Sequence, residues 1–279
     1  MVDIRRSRMR RMVAAIAAAV AAGGLAVACT ASTTHAGPTE DAPRPTVVLV
    51  HGAFADGSSW NDVIDKLRED RYPVVAAANP LRGPAADAAA LRGLISHIKG
   101  PVVLVGHSYG GSVISAAAAG SDQVKALVYV AAFLPAPGET ALELTNKFPG
   151  STLPGTLDPA PFSDSNGSTG TDLYIQQDKF HAQFAADVPA DRAALAAAAQ
   201  RPILQAALEE KATAAAWTDK PSWDVVTTQD LNIPAAAQRF MAERAGSHVT
   251  EVAASHSVAV SHPDLVADVI EQAARDTAH

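Results

Sequence analysis

The sequence predicts an α/β protein in which a mostly parallel sheet is covered by helices on both faces. Short apolar runs rich in Val and Ala alternate with stretches whose apolar residues recur at helical spacing. The chain has 279 residues, of which 48% are apolar and 18% charged. A chain of this length and composition can bury a sizeable core, which excludes a disordered segment or a disulfide-stapled miniprotein.

The predicted strands and helices alternate along the chain. Six strands are expected at 46–51, 73–78, 101–108, 125–133, 223–230 and 248–255. Five helices are expected between or after them, at 58–70, 85–98, 110–120, 233–245 and 263–276. Strands that follow one another through helices pair in parallel, so ligands should bind beyond their carboxyl ends.

One interval interrupts this alternation. Residues 134–222 separate the fourth strand from the fifth, which is far longer than one crossover helix requires. We expect a small helical cap to be inserted here. Its first part, 146–171, is rich in Pro, Gly, Ser and Thr and is expected to be irregular, whereas 172–216 is expected to form two or three helices.

The amino terminus resembles a secretory signal peptide. Five arginines precede an uncharged, Ala-rich stretch at Met12–Ala28, which is short for a membrane span. Residues 1–36 are the expected leader, with cleavage after Ala28, leaving a lipid-modified Cys29, or after Ala36. Residues 37–45 then form a flexible linker and 46–279 the folded domain. The expected location is secreted or cell-envelope, with membrane contact only through a lipid on Cys29.

Composition excludes several classes of function. The formal charge is -7, and it becomes -11 without residues 1–36, which hold 5 basic and 1 acidic residue. So acidic a surface repels phosphate backbones, and nucleic acid is not an expected partner. Cys29 is the single cysteine, which excludes an intramolecular disulfide and a thiolate metal cage. The chemistry described below needs neither a metal nor an organic cofactor.

The pentapeptide Gly106-His107-Ser108-Tyr109-Gly110 lies where a predicted strand meets a predicted helix. At such a turn the backbone of the serine is strained, and only small neighbours at 106 and 110 avoid collision with it. The turn exposes the serine hydroxyl above the sheet, beside the positive end of the helix dipole. Ser108 is therefore the predicted nucleophile.

A serine hydroxyl needs a base within hydrogen-bond reach, and that base needs an orienting acid. His256 follows the last predicted strand and Asp230 closes the fifth, so both are expected at the carboxyl edge of the sheet. His262 is the one serious alternative base. For the acid, Asp224 lies at the wrong end of its strand and Asp219 lies in the preceding loop.

Acyl transfer also needs N–H donors for the oxyanion that develops on the substrate. The stretch His51-Gly52-Ala53-Phe54 follows the first predicted strand and brings the Ala53 amide towards the site. The amide of Tyr109, at the start of the helix, is the expected second donor. His51 itself is interpreted as a residue that braces this loop.

Together these segments resemble a known family. VLVHGAFADGSSW, GHSYGG, TTQD and the SH after HVTEVAA are similar to the α/β-hydrolases, in particular compact bacterial esterases and the plant methylesterase and hydroxynitrile lyase group. The resemblance covers residues 46–275 and implies a Ser108, Asp230 and His256 triad. Hydroxynitrile lyases, however, have Thr in place of Gly52 and Lys in place of Ser257, so the resemblance favours hydrolysis.

The sequence therefore predicts a secreted serine esterase that cleaves small or medium carboxylic esters. Phe54, Phe133 and Trp217 are the candidate substrate contacts, because ester pockets are usually apolar. Amide, lactone or peptide cleavage and cofactor-free perhydrolysis remain open on the same triad. A ligand sensor that keeps the fold without catalysis is a further alternative, because a fold alone does not assign a function.

Overall fold

The structure is a computed structural model that describes residues 44–278. The predicted leader, Cys29 and most of the predicted linker lie outside the described residues. The largest sheet has six strands, all parallel, in the spatial order β2-β1-β3-β4-β8-β9. They are β1 (Thr46–Val50), β2 (Val74–Ala77), β3 (Val102–His107), β4 (Val124–Val130), β8 (Ser222–Thr227) and β9 (His248–Val252). The predicted fold class is confirmed.

Most residues of the central strands are apolar because both faces of the sheet are buried. Along β1, Val48 and Val50 face one hydrophobic cluster, and Val47 and Leu49 face the other. This alternation follows from the two-residue repeat of a strand. Side chains on successive residues of one strand thus hold helices against opposite faces.

Helices cover both faces of the sheet. Buried residues of α1, α9 and α10 belong to one hydrophobic cluster, and those of α2, α3 and α8 belong to the other. The bounds are α1 (Asn61–Glu69), α2 (Pro84–Ile95), α3 (Gly110–Ala117), α8 (Ala235–Ala245), α9 (Val258–Ser261) and α10 (Pro263–Asp276). None of the helices in the described part of the chain is long and apolar enough to cross a membrane.

Local sequence accounts for the ends of these helices. Pro263 opens α10, where its fixed φ suits the first turn and its missing N–H is not needed. Gly246 ends α8 in the left-handed conformation, with φ of 65°. Within α10, Val266 and Ile270 lie one turn apart on the buried face of the helix.

The segment between β4 and β8 contains both helices and a small sheet. Its helices are α4 (Ala141–Asn146), α5 (Gln177–Phe184), α6 (Ala190–Ala199) and α7 (Gln205–Glu209). Its strands are β5 (Leu157–Ser163), β6 (Thr169–Ile175) and β7 (Ile203–Leu204), paired antiparallel in that order. The expectation of an irregular segment at 146–171 was wrong for its second half.

The hairpin of β5 and β6 forms although its residue composition is typical of a loop. Pro159 and Pro161 lie on the edge strand β5, where a missing N–H costs no ladder hydrogen bond when it faces outwards. At the turn, Asp164 Oδ1 accepts hydrogen bonds from the Asn166 and Ser168 amides, each at 2.9 Å. The dipeptide Asn166-Gly167 was the available signal, since Asn-Gly favours tight hairpin turns.

Candidate active site

Ser108 lies in a strained turn between β3 and α3. Its φ is 53°, in the left-handed region that residues with a side chain rarely adopt. A Cβ on Gly106 would lie 2.6 Å from the Gly110 carbonyl oxygen, and one on Gly110 would lie 2.5 Å from the Val50 oxygen. Glycine at both positions is therefore a steric requirement of the turn that presents Ser108.

The loop after β1 passes directly against this serine. A Cβ on Gly52 would lie 2.6 Å from Ser108 Cβ, so the loop reaches this position only with glycine. Among the described residues, neither the Ala53 amide nor the Tyr109 amide donates a hydrogen bond to another group. Both N–H groups are thus free to bind an oxygen of a ligand in the cavity beside Ser108.

His51 braces this loop, as its position in the sequence suggested. Its Nδ1 lies 2.9 Å from the Gly52 carbonyl oxygen, and its Nε2 accepts the Asn79 amide at 3.2 Å. This arrangement requires the neutral ring with the proton on Nδ1. Burial lowers the pKa of His51, which favours the same form. The bond to Gly52 fixes the peptide plane that also carries the Ala53 N–H.

His256 and Asp230 meet at the carboxyl edge of the sheet. His256 follows β9, Asp230 follows β8, and His256 Nδ1 lies 2.6 Å from Asp230 Oδ2. Both side chains are buried, with His256 1% exposed. The short contact orients the imidazole, leaving Nε2 as the nitrogen available to other groups.

The carboxylate of Asp230 is held by further donors. Its Oδ1 accepts the backbone N–H groups of Asn232 at 2.7 Å and Ile233 at 3.0 Å. Its Oδ2 accepts Gln238 Nε2 at 3.0 Å and the Thr227 hydroxyl at 3.1 Å. These four donors hold the carboxylate in place beside His256. Sequence reasoning missed Gln238, because nothing in its own helix signals a contact with the loop after β8.

His107 also contacts the catalytic candidates, which sequence reasoning missed. Its Nε2 lies 2.9 Å from the His256 carbonyl oxygen, and the two rings have centroids 4.7 Å apart. Burial, and then the charge of His256, lower the pKa of His107 well below its ordinary value. A neutral His107 therefore donates Nε2–H to the loop that carries His256.

The side chain of Tyr109 anchors the turn at Ser108 to α2. Its hydroxyl donates to Asp87 Oδ2 at 2.7 Å, and the Arg82 amide also donates to the Asp87 carboxylate. Burial raises the pKa of both Tyr109 and Asp87. Tyr109 thus turns its hydroxyl into the core, while only its backbone N–H is available to the cavity.

A small cavity of about 80 Å³ lies over these groups. Ser108, His256, Ala53 and Tyr109 line it together with apolar side chains that include Phe54 and Phe133. In the described part of the chain, no hydrogen bond joins the Ser108 hydroxyl to His256. Such bonds are often long in enzymes without substrate and tighten when it binds.

Trp217 does not line this cavity. Its indole N–H donates to the Pro135 carbonyl oxygen at 3.2 Å, and the Arg244 guanidinium lies 5.2 Å from the ring centroid. These contacts hold the ring in one of the hydrophobic clusters. Phe54 and Phe133 line the cavity, whereas a substrate contact by Trp217 stays a prediction.

The alternative residues lie elsewhere. His262 Nδ1 lies 3.7 Å from Asp187 Oδ2 and 2.9 Å from the Ser261 hydroxyl, and His262 is absent from the lining of the cavity. Asp224 is buried within β8, and its carboxyl has no hydrogen-bond partner among the described residues. Over residues 44–278, no group of three or more His, Cys, Asp or Glu side chains is arranged to hold a metal ion.

Comparison with known proteins agrees with this architecture. Residues 47–269 match the model of the alpha/beta hydrolase family. The chain belongs to this family. The match covers the sheet, the turn at Ser108 and the positions of Asp230 and His256. It identifies the protein as a hydrolase, and it confirms the resemblance drawn from the sequence motifs.

Individual relatives of this alpha/beta hydrolase are distant. The chain is 26% identical over 261 residues to alpha/beta hydrolase nvfD of Aspergillus novofumigatus, covering 83% of this chain and 97% of that protein. A carbendazim hydrolyzing esterase of Nocardioides is 32% identical over 113 residues, which is 36% of this chain and 47% of that protein. The crystal structure of polyneuridine aldehyde esterase superposes with a TM-score of 0.72 at 18% identity, covering 82% of this chain and 98% of that one.

Proposed function

We propose that this alpha/beta hydrolase is a serine esterase that cleaves small or medium carboxylic esters. The observation that carries the proposal is the 2.6 Å contact between His256 and Asp230 beside a cavity onto which Ser108 also opens. An imidazole oriented by a buried carboxylate next to a serine in a strained turn is the arrangement that activates a hydroxyl as a nucleophile.

The proposed reaction uses this chain's own groups at every step. Ser108 Oγ attacks the ester carbonyl while His256 Nε2 takes its proton, and the oxyanion accepts hydrogen bonds from the Ala53 and Tyr109 amides. His256 then donates that proton to the leaving alcohol, and an acyl group stays on Ser108. Water, activated by His256, releases the acid and restores the serine. Asp230 stabilises the imidazolium that forms in both halves.

Ester cleavage is favoured over the other reactions that such a triad supports. Two of the similar proteins are named esterases: the carbendazim hydrolyzing esterase of Nocardioides and polyneuridine aldehyde esterase. The cavity beside Ser108 is largely apolar, with few polar groups beyond the catalytic candidates. A site of this kind suits an ester better than a peptide, whose additional amides would need hydrogen-bond partners.

Replacing Ser108 by Ala tests the proposal. We expect kcat for 4-nitrophenyl acetate to fall by about 10³-fold or more, because the nucleophile is lost while the fold is kept. Ser112→Ala is the matched control. Ser112 lies on α3, is buried like Ser108, and has no partner for its hydroxyl among the described residues. It should retain ester hydrolysis.

A fluorophosphonate probe separates the enzyme from a ligand sensor. Labelling of the wild-type protein, lost in Ser108→Ala and kept in Ser112→Ala, is the result expected of an activated serine. Folded wild-type protein that takes no label and hydrolyses no ester would overturn the proposal.

We also propose that the protein is exported to the cell envelope or beyond. This rests on the amino-terminal sequence alone, with its arginines followed by Met12–Ala28. Mass spectrometry of the mature protein tests it. A chain that begins at Cys29 with a diacylglyceryl group, or one that begins at Gly37, is expected, and an intact mature chain from Met1 in the cytoplasm would contradict it.

A further inference from the structure

A second and larger cavity lies next to the one that holds Ser108. It measures about 230 Å³, against about 80 Å³ for the catalytic cavity. Its walls come from α5, α6 and the loop after β1, and its lining includes Phe180, Val188 and Leu195. We call it the outer cavity. No residue of the proposed triad lines it, so its role is separate from the chemistry itself.

The catalytic cavity is too small to hold most esters. A cavity of about 150 Å³ in another protein holds one benzene molecule, and the catalytic cavity is about half that size. It therefore accommodates an acyl group of only a few heavy atoms beside Ser108. The rest of a larger ester must lie outside this space.

Phe54 and Phe184 lie at the boundary that the two cavities share. Both side chains line both cavities, and their rings meet edge to face with centroids 6.2 Å apart. The Phe54 backbone has a φ of 61°, a strained value for an aromatic residue, and its N–H donates to the Arg201 carbonyl oxygen at 2.9 Å. The chain thus holds an aromatic ring at the boundary at some cost in backbone strain.

The outer cavity lies on the side of His256. The Phe184 ring packs against the His256 imidazole, with centroids 4.9 Å apart, and Ser257 and Val260 line the outer cavity just after His256 in the chain. In acyl transfer the imidazole must donate its proton to the leaving alcohol, so the alcohol oxygen lies on the imidazole side of the serine. The alcohol portion of an ester therefore points towards the outer cavity.

We propose that the outer cavity binds the alcohol portion of the substrate, and that the preferred substrates join a short acyl group to a longer, apolar alcohol. This inference rests on the proposed esterase function and specifies its substrate class. The apolar wall accounts for the preference for a hydrocarbon chain. Asp56, Arg192 and Gln200 also line the cavity, where they permit a polar group at the far end of the alcohol.

Two isomeric esters test the direction of binding. Hexyl acetate and ethyl hexanoate have the same atoms and closely similar apolar surface, but the long chain lies on opposite sides of the carbonyl. We expect kcat/KM for hexyl acetate to be about tenfold higher or more, since a few methylenes that fit a pocket discriminate to this extent. Equal values, or a preference for ethyl hexanoate, would overturn the inference.

A variant on α6 tests whether the alcohol portion of the substrate binds in the outer cavity. Ala196 is exposed on α6 and lines the outer cavity, so Ala196→Phe should fill part of the space. Ala198→Phe is the control: Ala198 is exposed on the same helix and does not line the cavity. We expect Ala196→Phe to lower kcat/KM for hexyl acetate about tenfold relative to ethyl acetate, whereas Ala198→Phe should leave this ratio unchanged. Full activity of Ala196→Phe on hexyl acetate would place the alcohol elsewhere.

The esterase activity and the preference for a longer alcohol are tested by separate measurements. Fluorophosphonate labelling of Ser108 together with hydrolysis of ethyl acetate keeps the esterase even when the isomer preference is reversed. Absence of both labelling and hydrolysis for every ester overturns the function, and with it the substrate class inferred here.

Discussion

Two buried aspartates on or just after β8 have opposite environments. Asp230 follows the carboxyl end of the strand and accepts hydrogen bonds from two backbone amides, two side chains and the His256 imidazole. Asp224 lies inside the strand, fully buried, and its carboxyl has no partner among the described residues. Burial alone raises the pKa of Asp224 well above its ordinary value, which favours the neutral carboxyl in the fold.

The difference follows from where backbone N–H groups are free. Within a sheet each N–H is already used in the ladder, and Asp224 pairs in register with Tyr129 and Val249 on the neighbouring strands. Beyond the carboxyl end the ladder stops, and the amides of Asn232 and Ile233 turn towards the carboxylate. The edge of the sheet therefore supplies hydrogen-bond donors to a buried carboxylate, whereas Asp224 inside the strand has none among the described residues.

The largest effect should come from removing the charge at the edge. In Asp230→Asn, the new side-chain amide can turn its NH₂ group towards the N–H groups of His256 and Gln238, which leaves donors facing donors. Otherwise the imidazole must take the tautomer without a proton on Nδ1, which is the wrong one for catalysis. We expect kcat for 4-nitrophenyl acetate to fall by about 10⁴-fold, as a neutral amide cannot stabilise the imidazolium. Kinetics at saturating ester measure this, with circular dichroism as the test of folding. A folded variant with near-normal kcat would show that Asp230 has no catalytic role.

The donors that hold Asp230 are tested by Gln238→Leu. Gln238 also accepts the Thr227 amide at 2.9 Å and donates to the Ile233 carbonyl oxygen at 2.8 Å. Leucine leaves both backbone groups buried without partners, so we expect the free energy of unfolding to fall by about 2–4 kcal/mol. Urea unfolding measures it, and kcat should fall as well. Gln229→Leu, on an exposed residue, is the control, and equal stability of the two variants would contradict the account.

The smallest effect is expected for Asp224→Asn, which should raise the free energy of unfolding rather than lower it. The fold favours the protonated form of this carboxyl, whereas the unfolded chain loses the proton above about pH 4. In that range the unfolded state binds fewer protons than the folded state, so stability falls as pH rises. Asp224→Asn removes this penalty. We expect the variant to be more stable than the wild type at pH 7, by a margin smaller at pH 5.

Urea unfolding at the two pH values measures this margin. Asp219→Asn, at an exposed residue just before β8, controls for the loss of one negative charge and should show no such trend. Ester hydrolysis should be unchanged in Asp224→Asn, in contrast to Asp230→Asn. A loss of stability in Asp224→Asn at pH 7 would mean that this carboxyl is ionised and paired.

Much of the fold could be predicted from local patterns. The runs that became β1 and β3 are apolar because both faces are buried, and the glycines around Ser108 are dictated by atoms within a few ångströms. The hairpin of β5 and β6 was missed, because prolines and glycines normally indicate loops and an edge strand tolerates them. For Trp217 the sequence is not decisive, because an aromatic residue near a cap suits a pocket and a core equally.

The sequence by itself determined the order of strands and helices and the residues that can form a strained serine turn, since these depend on periodicity and on close neighbours in the chain. Only the tertiary structure decided that His107 donates to the His256 carbonyl and that Phe54 and Phe184 line both cavities. It also decided that Asp230 has donors, whereas Asp224 has none within residues 44–278. Those features depend on burial and on partners far apart in sequence, which packing sets and no local pattern records.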